Sequence, residues 1–332
     1  MSALTALIIS FVFGPRIINL LEGNDIGESI REDGPRSHSK KKGTPTMGGI
    51  LILLSVSIST LIWSDLTNTY IITILFSMLL FGLIGFIDDY IKLKGNKNGL
   101  SATIKLFMQI GVAYGAVSYL FYGSMEPIAT DLLIPFTNNV RLELGWVFLP
   151  FAIFVIVGSS NAVNLTDGLD GLAIMPVVMI SIALGIFAYV TGNINFSSYL
   201  DLPFLREAGE VFVICCAISG AGLGFLWFNT YPAQVFMGDV GAISLGGTMG
   251  LISVIVKQEL VLAIMGGVFI METLSVILQV GSYKIRGKRI FNMAPIHHHF
   301  ELKGWAEPKV IVRFWIITVF LVLIGLSSLK IR

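Results

Sequence analysis

Residues 70–90 read YIITILFSMLLFGLIGFIDDY, an unbroken apolar run that ends at two adjacent carboxylates, Asp88 and Asp89. A helix of about 20 residues is long enough to cross the hydrocarbon core of a bilayer, which is roughly 30 Å thick. The run contains no charge before Asp88 and does not alternate polar and apolar side chains as a barrel strand would. It therefore predicts a membrane-spanning helix.

Nine further runs of this kind occur along the 332-residue chain. They cover residues 2–21, 47–63, 103–122, 145–160, 172–191, 210–228, 240–256, 260–280 and 310–329. Only 13% of the residues are charged, against about 25% in soluble domains. The sequence predicts an all-α polytopic membrane protein with about ten transmembrane helices in a single domain, 1–332. Turn residues in 124–143 predict a small β-hairpin between two of the helices.

Lys and Arg residues are distributed unevenly between the connections. If the chain crosses the membrane ten times, one set of connections holds 17 of the 22 basic residues and the opposite set holds 5. Because cytoplasmic connections carry the excess of positive charge, both termini are predicted to be extracytoplasmic. The formal net charge of +1 gives no indication of nucleic-acid binding.

The residues capable of chemistry are concentrated in the connections predicted to be cytoplasmic, which places the predicted active site on that face. Two carboxylates near a helix C-terminus face the negative end of the helix dipole, so a divalent cation or basic residues should compensate. Neighbouring helical side chains diverge, so we expect one of Asp88 and Asp89 to face a metal and the other a lysine or a backbone group. Asp239 lies near a helix N-terminus, where a carboxylate is favoured. Because oxygen ligands predominate, the predicted metal is Mg²⁺ rather than Zn²⁺.

Two further connections are rich in amide and carboxylate side chains. In NAVNLTDGLDG (161–171) the glycines favour a broken or tightly turned backbone. Such side chains suit the recognition of hydroxyl groups and base edges, and Phe236 in NTYPAQVFMGDVG (229–241) could stack on a planar ring. The candidate binding residues in these two connections are Asn161, Asn164, Asp167, Asp170, Asn229 and Phe236.

Basic and imidazole side chains complete the predicted site. The candidates for phosphate contacts are Lys41 and Thr46 in PRSHSKKKGTPTMGG (35–49), together with Lys105. His297, His298 and His299 in MAPIHHHFE (293–301) could face a phosphate or carry protons. Glu272 is an intramembrane carboxylate and thus a functional candidate. A helix break near Met271–Glu272 would bring Glu272 and Gln279 towards these connections.

These motifs closely resemble those of the phospho-N-acetylmuramoyl-pentapeptide transferase family. The strings GFIDDY and NAVNLTDGLDGL are shared across polyprenyl-phosphate N-acetylhexosamine-1-phosphate transferases, whereas KKGTPTMGG and APIHHHFE resemble the muramoyl-pentapeptide branch. The resemblance implies transfer of phospho-MurNAc-pentapeptide from UDP-MurNAc-pentapeptide to undecaprenyl phosphate, with Mg²⁺ required. Lipid I and UMP would be the products. It also implies a homodimer with its active site at the cytoplasmic face of the bacterial cytoplasmic membrane.

Residue roles follow from the resemblance by position. Asp88, Asp89 and Asp239 match essential acidic residues, with Asp239 at the magnesium site, and His298 and His299 match functional histidines. The positions that match nucleotide-sugar or nucleoside-inhibitor contacts are Lys41, Asn164, Asp167, Asp170, Asn229, Phe236 and Gln279. Asp88 remains open between metal ligand, positioner of the acceptor and general base, and direct transfer remains open against a covalent aspartyl-phosphate intermediate.

Three rival functions are compatible with parts of the sequence. A sister enzyme that transfers GlcNAc-1-phosphate from UDP-GlcNAc would share the acidic motifs. A secondary transporter would use Glu272 and the acids of the connections as an ion path. Transporters usually show internal repeats and charges near the midplane, and neither is evident here. A non-catalytic membrane scaffold would have no need of these residues.

Overall fold

A computed structural model describes residues 1–23, 43–94, 99–123, 130–137 and 140–331. Within these ranges the chain forms thirteen α-helices and one two-stranded sheet. The helices are α1 Ser2–Gly23, α2 Gly49–Trp63, α3 Thr69–Leu93, α4 Ala102–Ser118, α5 Phe148–Thr166, α6 Ile174–Thr191, α7 Ile194–Tyr199, α8 Val211–Asn229, α9 Gly238–Ile255, α10 Glu259–Met265, α11 Gly267–Arg286, α12 Ile296–Leu302 and α13 Glu307–Ser327. The strands are β1 Asp131–Leu133 and β2 Arg141–Glu143.

Each of the ten apolar runs forms helix, and the prediction of an all-α multi-pass membrane protein is confirmed. Among the described residues, nine helical segments are long and apolar enough to cross a membrane. The tenth run forms α2, whose 15 residues extend over only about 22 Å. A π-helical turn lengthens α4, and a 3₁₀ turn precedes α5.

Helix α9 lies at the centre of the bundle, packed against α3 on one side and α5 on another. Close packing depends on glycine: a Cβ atom at Gly85 of α3 would collide with the backbone of Asp239, and one at Gly246 of α9 would meet the backbone of Ser159 in α5. Because the backbones of α3 and α9 touch near Gly85, the carboxylates that follow on α3 are brought to the first turn of α9.

The predicted hairpin is confirmed within the described residues. Strands β1 and β2 pair antiparallel, with Asp131 opposite Glu143 and Leu133 opposite Arg141. The pair joins the end of α4 to the start of α5, so it lies at the opposite end of the bundle from Asp239.

Two helix boundaries differ from the sequence prediction. The sequence predicts a span over 70–87 with Asp88 and Asp89 at the helix C-terminus, whereas α3 continues to Leu93, with Lys92 of its last turn paired with Asp88 and Asp239. The break expected near Met271–Glu272 lies instead at Gly266, which separates α10 from α11. Glu272 is consequently enclosed within the unbroken helix α11.

A second group of buried charges lies at the hairpin end of the bundle. Lys257 and Glu259 connect α9 to α10, and each is only 3% exposed. The Lys257 ammonium lies 3.8 Å from the centroid of the Phe148 ring. Burial lowers the pKa of Lys257 to about 8 and raises the pKa of Glu259 to about 7, in each case because the charged form loses its hydration.

Candidate active site

Three carboxylates meet where α3 nears its end and α9 begins. Asp88 and Asp89 lie on α3, and Asp239 is the second residue of α9. Each contributes one oxygen to a set whose members all lie within 4.8 Å of one another. The side chain of Asp88 is 1% exposed and that of Asp239 is 13% exposed, so the cluster is reached from the Asp239 side.

Two lysines neutralise much of this charge. Lys92 Nζ lies 2.7 Å from Asp88 Oδ2, 3.5 Å from Asp89 Oδ1 and 3.0 Å from Asp239 Oδ2. Lys105 Nζ, from α4, lies 3.0 Å from Asp88 Oδ2 and 2.6 Å from Asp239 Oδ2. Two ammonium groups thus face three carboxyl groups in a largely buried site.

Backbone amides fix the orientation of the two neighbouring carboxylates. The N–H of Leu100 donates to Asp88 Oδ1 at 2.7 Å, and the N–H of Val240 donates to Asp89 Oδ2 at 3.2 Å. The sequence suggested that one carboxylate would face a metal and the other a lysine or the backbone. The structure differs, because each of the two contacts both a backbone amide and Lys92, and both contribute to the same cluster.

The donor chemistry of this cluster fits a divalent cation. All three candidate ligands are carboxylate oxygens, which suit a hard ion such as Mg²⁺. Carboxyl groups outnumber ammonium groups in this cluster, so a bound cation would relieve the repulsion among the carboxylates. Asp88, Asp89 and Asp239 are thus the residues that could hold a metal, which adds Asp89 to the two ligands selected from the sequence.

The Asn/Asp connection is tied to the connection after α8. Helix α5 ends at Thr166, and Gly171 has a positive φ of 75°, so the turned backbone expected from the glycines is confirmed. Asp170 Oδ2 accepts from the N–H of Ala233 at 3.0 Å, and Asn229 Oδ1 accepts from the N–H of Gly171 at 3.0 Å. Asp170 and Asn229 therefore hold the two connections together through their side chains.

The other candidate residues of the connection 161–171 are Asn161, Asn164 and Asp167, and their surroundings differ. Asn161 lies on α5 and its side-chain amide donates to Gln109 Oε1 at 2.7 Å, which anchors it to α4. Asn164 lies a turn further along α5 and is half-buried. Asp167 follows the last residue of the helix, where it is also half-buried. Of these three residues, Asn164 and Asp167 thus lie closest to the turn that follows α5.

His297 is completely buried between two other elements. Its Nδ1 atom lies 3.2 Å from Glu272 Oε1 on α11. On the other side, a Cβ atom added at Gly168 would collide with the His297 imidazole. The histidine motif is therefore docked against the Asn/Asp connection, with Glu272 behind it.

The other two histidines contact their own segment. His298 Nδ1 lies 2.8 Å from Glu301 Oε2. His299 Nδ1 accepts from the N–H of Asn292 at 3.1 Å. Partial burial and the nearby Lys303 ammonium lower the pKa of His299. His299 is thus held in its neutral form more readily than a free imidazole.

Gln279 organises the loop before the histidines. Its Oε1 atom accepts from the N–H groups of Ile290 and Phe291 at 3.0 Å and 2.9 Å, and its amide donates to the Phe291 carbonyl at 2.9 Å. Both the oxygen and the nitrogen of the amide thus have backbone partners in this arrangement.

Residues 45–48, near the end of the basic motif, lie beside the acidic cluster. The N–H of Phe236 donates to the carbonyl of Pro45 at 2.8 Å, and the N–H of Gly48 donates to the carbonyl of Phe236. Thr46 is buried close to Gly238, which precedes Asp239. Lys41 lies outside the described residues.

Four polar residues of this region were not selected from the sequence. Lys92 contacts every member of the acidic cluster, and its spacing of four from Asp88 and three from Asp89 was a readable signal. The other three contact residues that were selected: Gln109 contacts Asn161, Glu301 contacts His298, and Glu307 accepts from the N–H of Asp170 at 3.2 Å. Glu301 also has a helical spacing of three from His298, whereas Gln109 and Glu307 are distant in sequence from their partners, so no spacing identified those two.

Comparison with known families matches two ranges of the chain. Residues 71–257 match the model described as glycosyl transferase family 4. Residues 41–53 match signature 1 of phospho-N-acetylmuramoyl-pentapeptide-transferase. The first range includes the whole acidic cluster with Lys92 and Lys105, and the second includes Thr46.

Proposed function

The chain belongs to glycosyl transferase family 4, as a membrane-embedded transferase of a glycosyl-1-phosphate, and we propose that it makes lipid I. In this proposal it transfers phospho-MurNAc-pentapeptide from UDP-MurNAc-pentapeptide to undecaprenyl phosphate and releases UMP. The observation that carries the proposal is the buried cluster of Asp88, Asp89 and Asp239 with Lys92 and Lys105. The signature match at 41–53 supports the choice of the muramoyl donor. Membership of a transferase family argues against the transporter and the scaffold.

The reaction exchanges one phosphoanhydride bond for another. An oxygen of the lipid phosphate attacks the phosphorus that bears the sugar, the bond to the uridine phosphate breaks, and UMP leaves with the bonding electrons. A phosphate monoester has a second pKa near 6, so the acceptor is already largely dianionic at pH 7. No general base is therefore required, and the main barrier is repulsion between two anionic reactants.

The residues of the site suit this task. Mg²⁺ bound by Asp88, Asp89 and Asp239 would supply Lewis-acid stabilisation of the phosphate oxygens. Lys105 and Lys92 carry positive charge into the same space and can contact the oxygens of either phosphate. In this assignment Asp89 joins Asp239 and Asp88 as a metal ligand, and the amides of Leu100 and Val240 keep the α3 carboxylates oriented.

The donor is proposed to lie over the connections that follow α5 and α8. Asn164, Asp167 and Phe236 offer groups for the nucleotide or sugar, and His298 offers an imidazole for a phosphate. Asn161, Asp170, Asn229, Gln279 and His297 support this surface through the contacts described above. Lys41, Thr46 and His299 complete the proposed set of binding residues.

The cellular setting is proposed on the same basis. The excess of Lys and Arg at the acidic end of the bundle supports a cytoplasmic active site, with both termini on the other side. The protein is proposed to act as a homodimer in the bacterial cytoplasmic membrane, with 1–332 as one domain.

The test is the release of UMP by the purified protein with undecaprenyl phosphate and Mg²⁺. UDP-MurNAc-pentapeptide and UDP-GlcNAc are supplied in parallel, each with an EDTA control. UMP and a glycolipid from the first donor alone are expected. Turnover of UDP-GlcNAc alone would assign the chain to the sister activity, and turnover that survives EDTA would contradict the metal.

A further inference from the structure

A pocket lies beside the C-terminal part of α1. It has a volume of about 470 Å³, within the range of about 300–1,000 Å³ that is usual for ligand sites. One face of α1 between Pro15 and Glu22 forms one wall, residues 43–45 form a second, and Ala233 with Gln234 forms a third. Three segments that are distant in sequence thus border one space.

The pocket adjoins the surface proposed for the donor. Gln234 and Phe236 are two residues apart, so at most about 7 Å separates them along the chain. The N–H of Ala233 donates to Asp170 Oδ2 at 3.0 Å, and the carbonyl of Pro45 accepts from the N–H of Phe236 at 2.8 Å. The connection after α8 therefore borders both the pocket and the proposed donor surface.

The lining of the pocket suits a peptide. Its polar side chains are those of Asn19, Glu22, Thr44 and Gln234, and none of them makes a hydrogen bond or an ion pair with the described residues. Amide and hydroxyl groups can both donate and accept, as the N–H and C=O groups of a peptide require. Ile18 and Phe228 add apolar surface for side chains.

Glu22 gives the pocket a negative charge in an unfavourable place. It lies in the last turn of α1, where a carboxylate faces the negative end of the helix dipole. That turn contains no basic side chain, and Glu22 has no ion-pair partner in the described parts of the chain. An ammonium group on a ligand would compensate for both the carboxylate and the helix end.

We propose that this pocket binds the peptide of the nucleotide-sugar donor and that Glu22 receives an ammonium group from a side chain of that peptide. The proposal rests on the proposed function, since it divides that reaction's donor between the pocket and the connections after α5 and α8. Five extended residues reach about 17 Å, which is enough to pass from the connection after α8 into the pocket.

The position of the second wall supports this assignment. Residues 43–45 lie within the range 41–53 that matches the muramoyl-pentapeptide signature. The donor of that branch differs from UDP-GlcNAc in carrying a peptide. A wall built from this stretch is therefore suited to recognise the part of the donor that UDP-GlcNAc lacks.

The test varies the charge of Glu22 and the charge of the peptide together. One donor is UDP-MurNAc-pentapeptide with a single lysine in its peptide, and the other is identical except that the lysine is Nε-acetylated. We expect Glu22→Gln to raise KM for the lysine donor about threefold, as for an exposed ion pair, and to leave KM for the acetylated donor unchanged. Glu22→Lys, which places a like charge in the pocket, should raise KM for the lysine donor about tenfold.

The matched control is Glu143→Gln, which removes an exposed carboxylate from the hairpin and should leave both constants at the wild-type values. An unchanged KM for the lysine donor in Glu22→Gln would overturn the proposal. An equal rise for both donors would also overturn it, because the effect would not depend on the ammonium group.

A second measurement does not depend on turnover. The lysine donor with a diazirine in its peptide is photolysed with the wild-type protein, and the adducts are mapped by mass spectrometry. Adducts on α1 or on residues 43–45 that unlabelled donor displaces support the proposal, even if no UMP is released and the proposed function fails. Adducts elsewhere, or none, would overturn the proposal while normal release of UMP leaves the proposed function intact.

Discussion

Lys105 and Asp239 are separated by 134 positions, yet Lys105 Nζ lies 2.6 Å from Asp239 Oδ2. The contact joins the first turn of α4 to the first turn of α9 beside the carboxylates of α3. A site that uses Asp239 for a metal must accommodate this ammonium beside the ion. The balance between the ammonium groups and the metal therefore determines how the site responds to substitution.

Replacing Asp239 by Asn should remove the central ligand while preserving size. We expect turnover in Asp239→Asn to fall by about a thousandfold, because charge stabilisation of this kind contributes several kcal/mol to the transition state. UMP release measured across a Mg²⁺ titration checks this. Asp201→Asn, on the hairpin side of the bundle, is the control and should behave as wild type. Normal turnover with normal Mg²⁺ dependence in Asp239→Asn would refute the assignment.

Removing Lys92 should separate metal binding from catalysis. In Lys92→Met the cluster loses a positive charge that lies 3.0 Å from Asp239 Oδ2. We expect the affinity for Mg²⁺, measured by calorimetry without substrate, to rise about tenfold because less repulsion opposes the ion. Turnover should nevertheless fall. Lys94→Met, whose ammonium lies over the Tyr90 ring instead, should leave both quantities unchanged, and an unaltered Mg²⁺ affinity in Lys92→Met would argue against a metal at this cluster.

The contact between Gly168 and His297 should make the two positions interdependent. A methyl group in Gly168→Ala would collide with the imidazole, and we expect a loss of about 1–3 kcal/mol from overpacking. Adding His297→Ala should recover part of that loss, so the double variant should be more stable than additivity allows. Thermal unfolding in detergent measures this, with Gly158→Ala as the control. Strictly additive losses would mean that the two residues do not touch.

The buried pair at the other end of the bundle predicts a stability effect without loss of chemistry. Lys257→Met would remove the positive charge that acts on the buried Glu259 carboxylate, at a cost of about 1–3 kcal/mol, whereas Lys257→Met with Glu259→Leu should regain most of it. The pKa of Glu259 is already raised to about 7. The folded single variant therefore binds more protons than the unfolded chain, and its stability should fall as the pH rises.

Thermal unfolding at about pH 6 and about pH 9 checks that sign. The single variant should lose more stability relative to wild type at the higher pH, where a lone Glu259 must be charged. A loss that grows instead at the lower pH would contradict the prediction.

The sequence pattern was sufficient to predict the helices and the types of residue in the candidate site. The run 70–87 predicted α3 because long apolar stretches have few alternatives in a membrane protein. The same pattern placed the end of the helix at Asp88 and Asp89, whereas α3 continues to Leu93, where Lys92 finds partners in the carboxylate cluster. The break at Gly266 was also missed, because several glycines and a buried Glu272 offered equally plausible positions.

The sequence likewise predicted only part of the candidate site. Motif strings selected the acids, amides and histidines, but not the supporting role of Asp170 and Asn229, which depends on backbone groups of a distant connection. Lys92 had a helical spacing that linked it to both α3 carboxylates. The contact of Lys92 with Asp239 could not be predicted from the sequence, because it depends on how α3 packs against α9.

The central position of α9 has a consequence for the assembly of the protein during its synthesis. Its sequence is rich in glycine and small residues, and almost all of it is enclosed by other helices. An isolated α9 in lipid would lack the helix–helix contacts that its small side chains are suited to make, and it would carry the Asp239 carboxylate near its end. During synthesis α3 and α5 emerge first, so the slot that receives α9 is available when it leaves the ribosome. The carboxylate cluster is therefore completed late in assembly, and a chain interrupted before α9 carries two of the acids but no site.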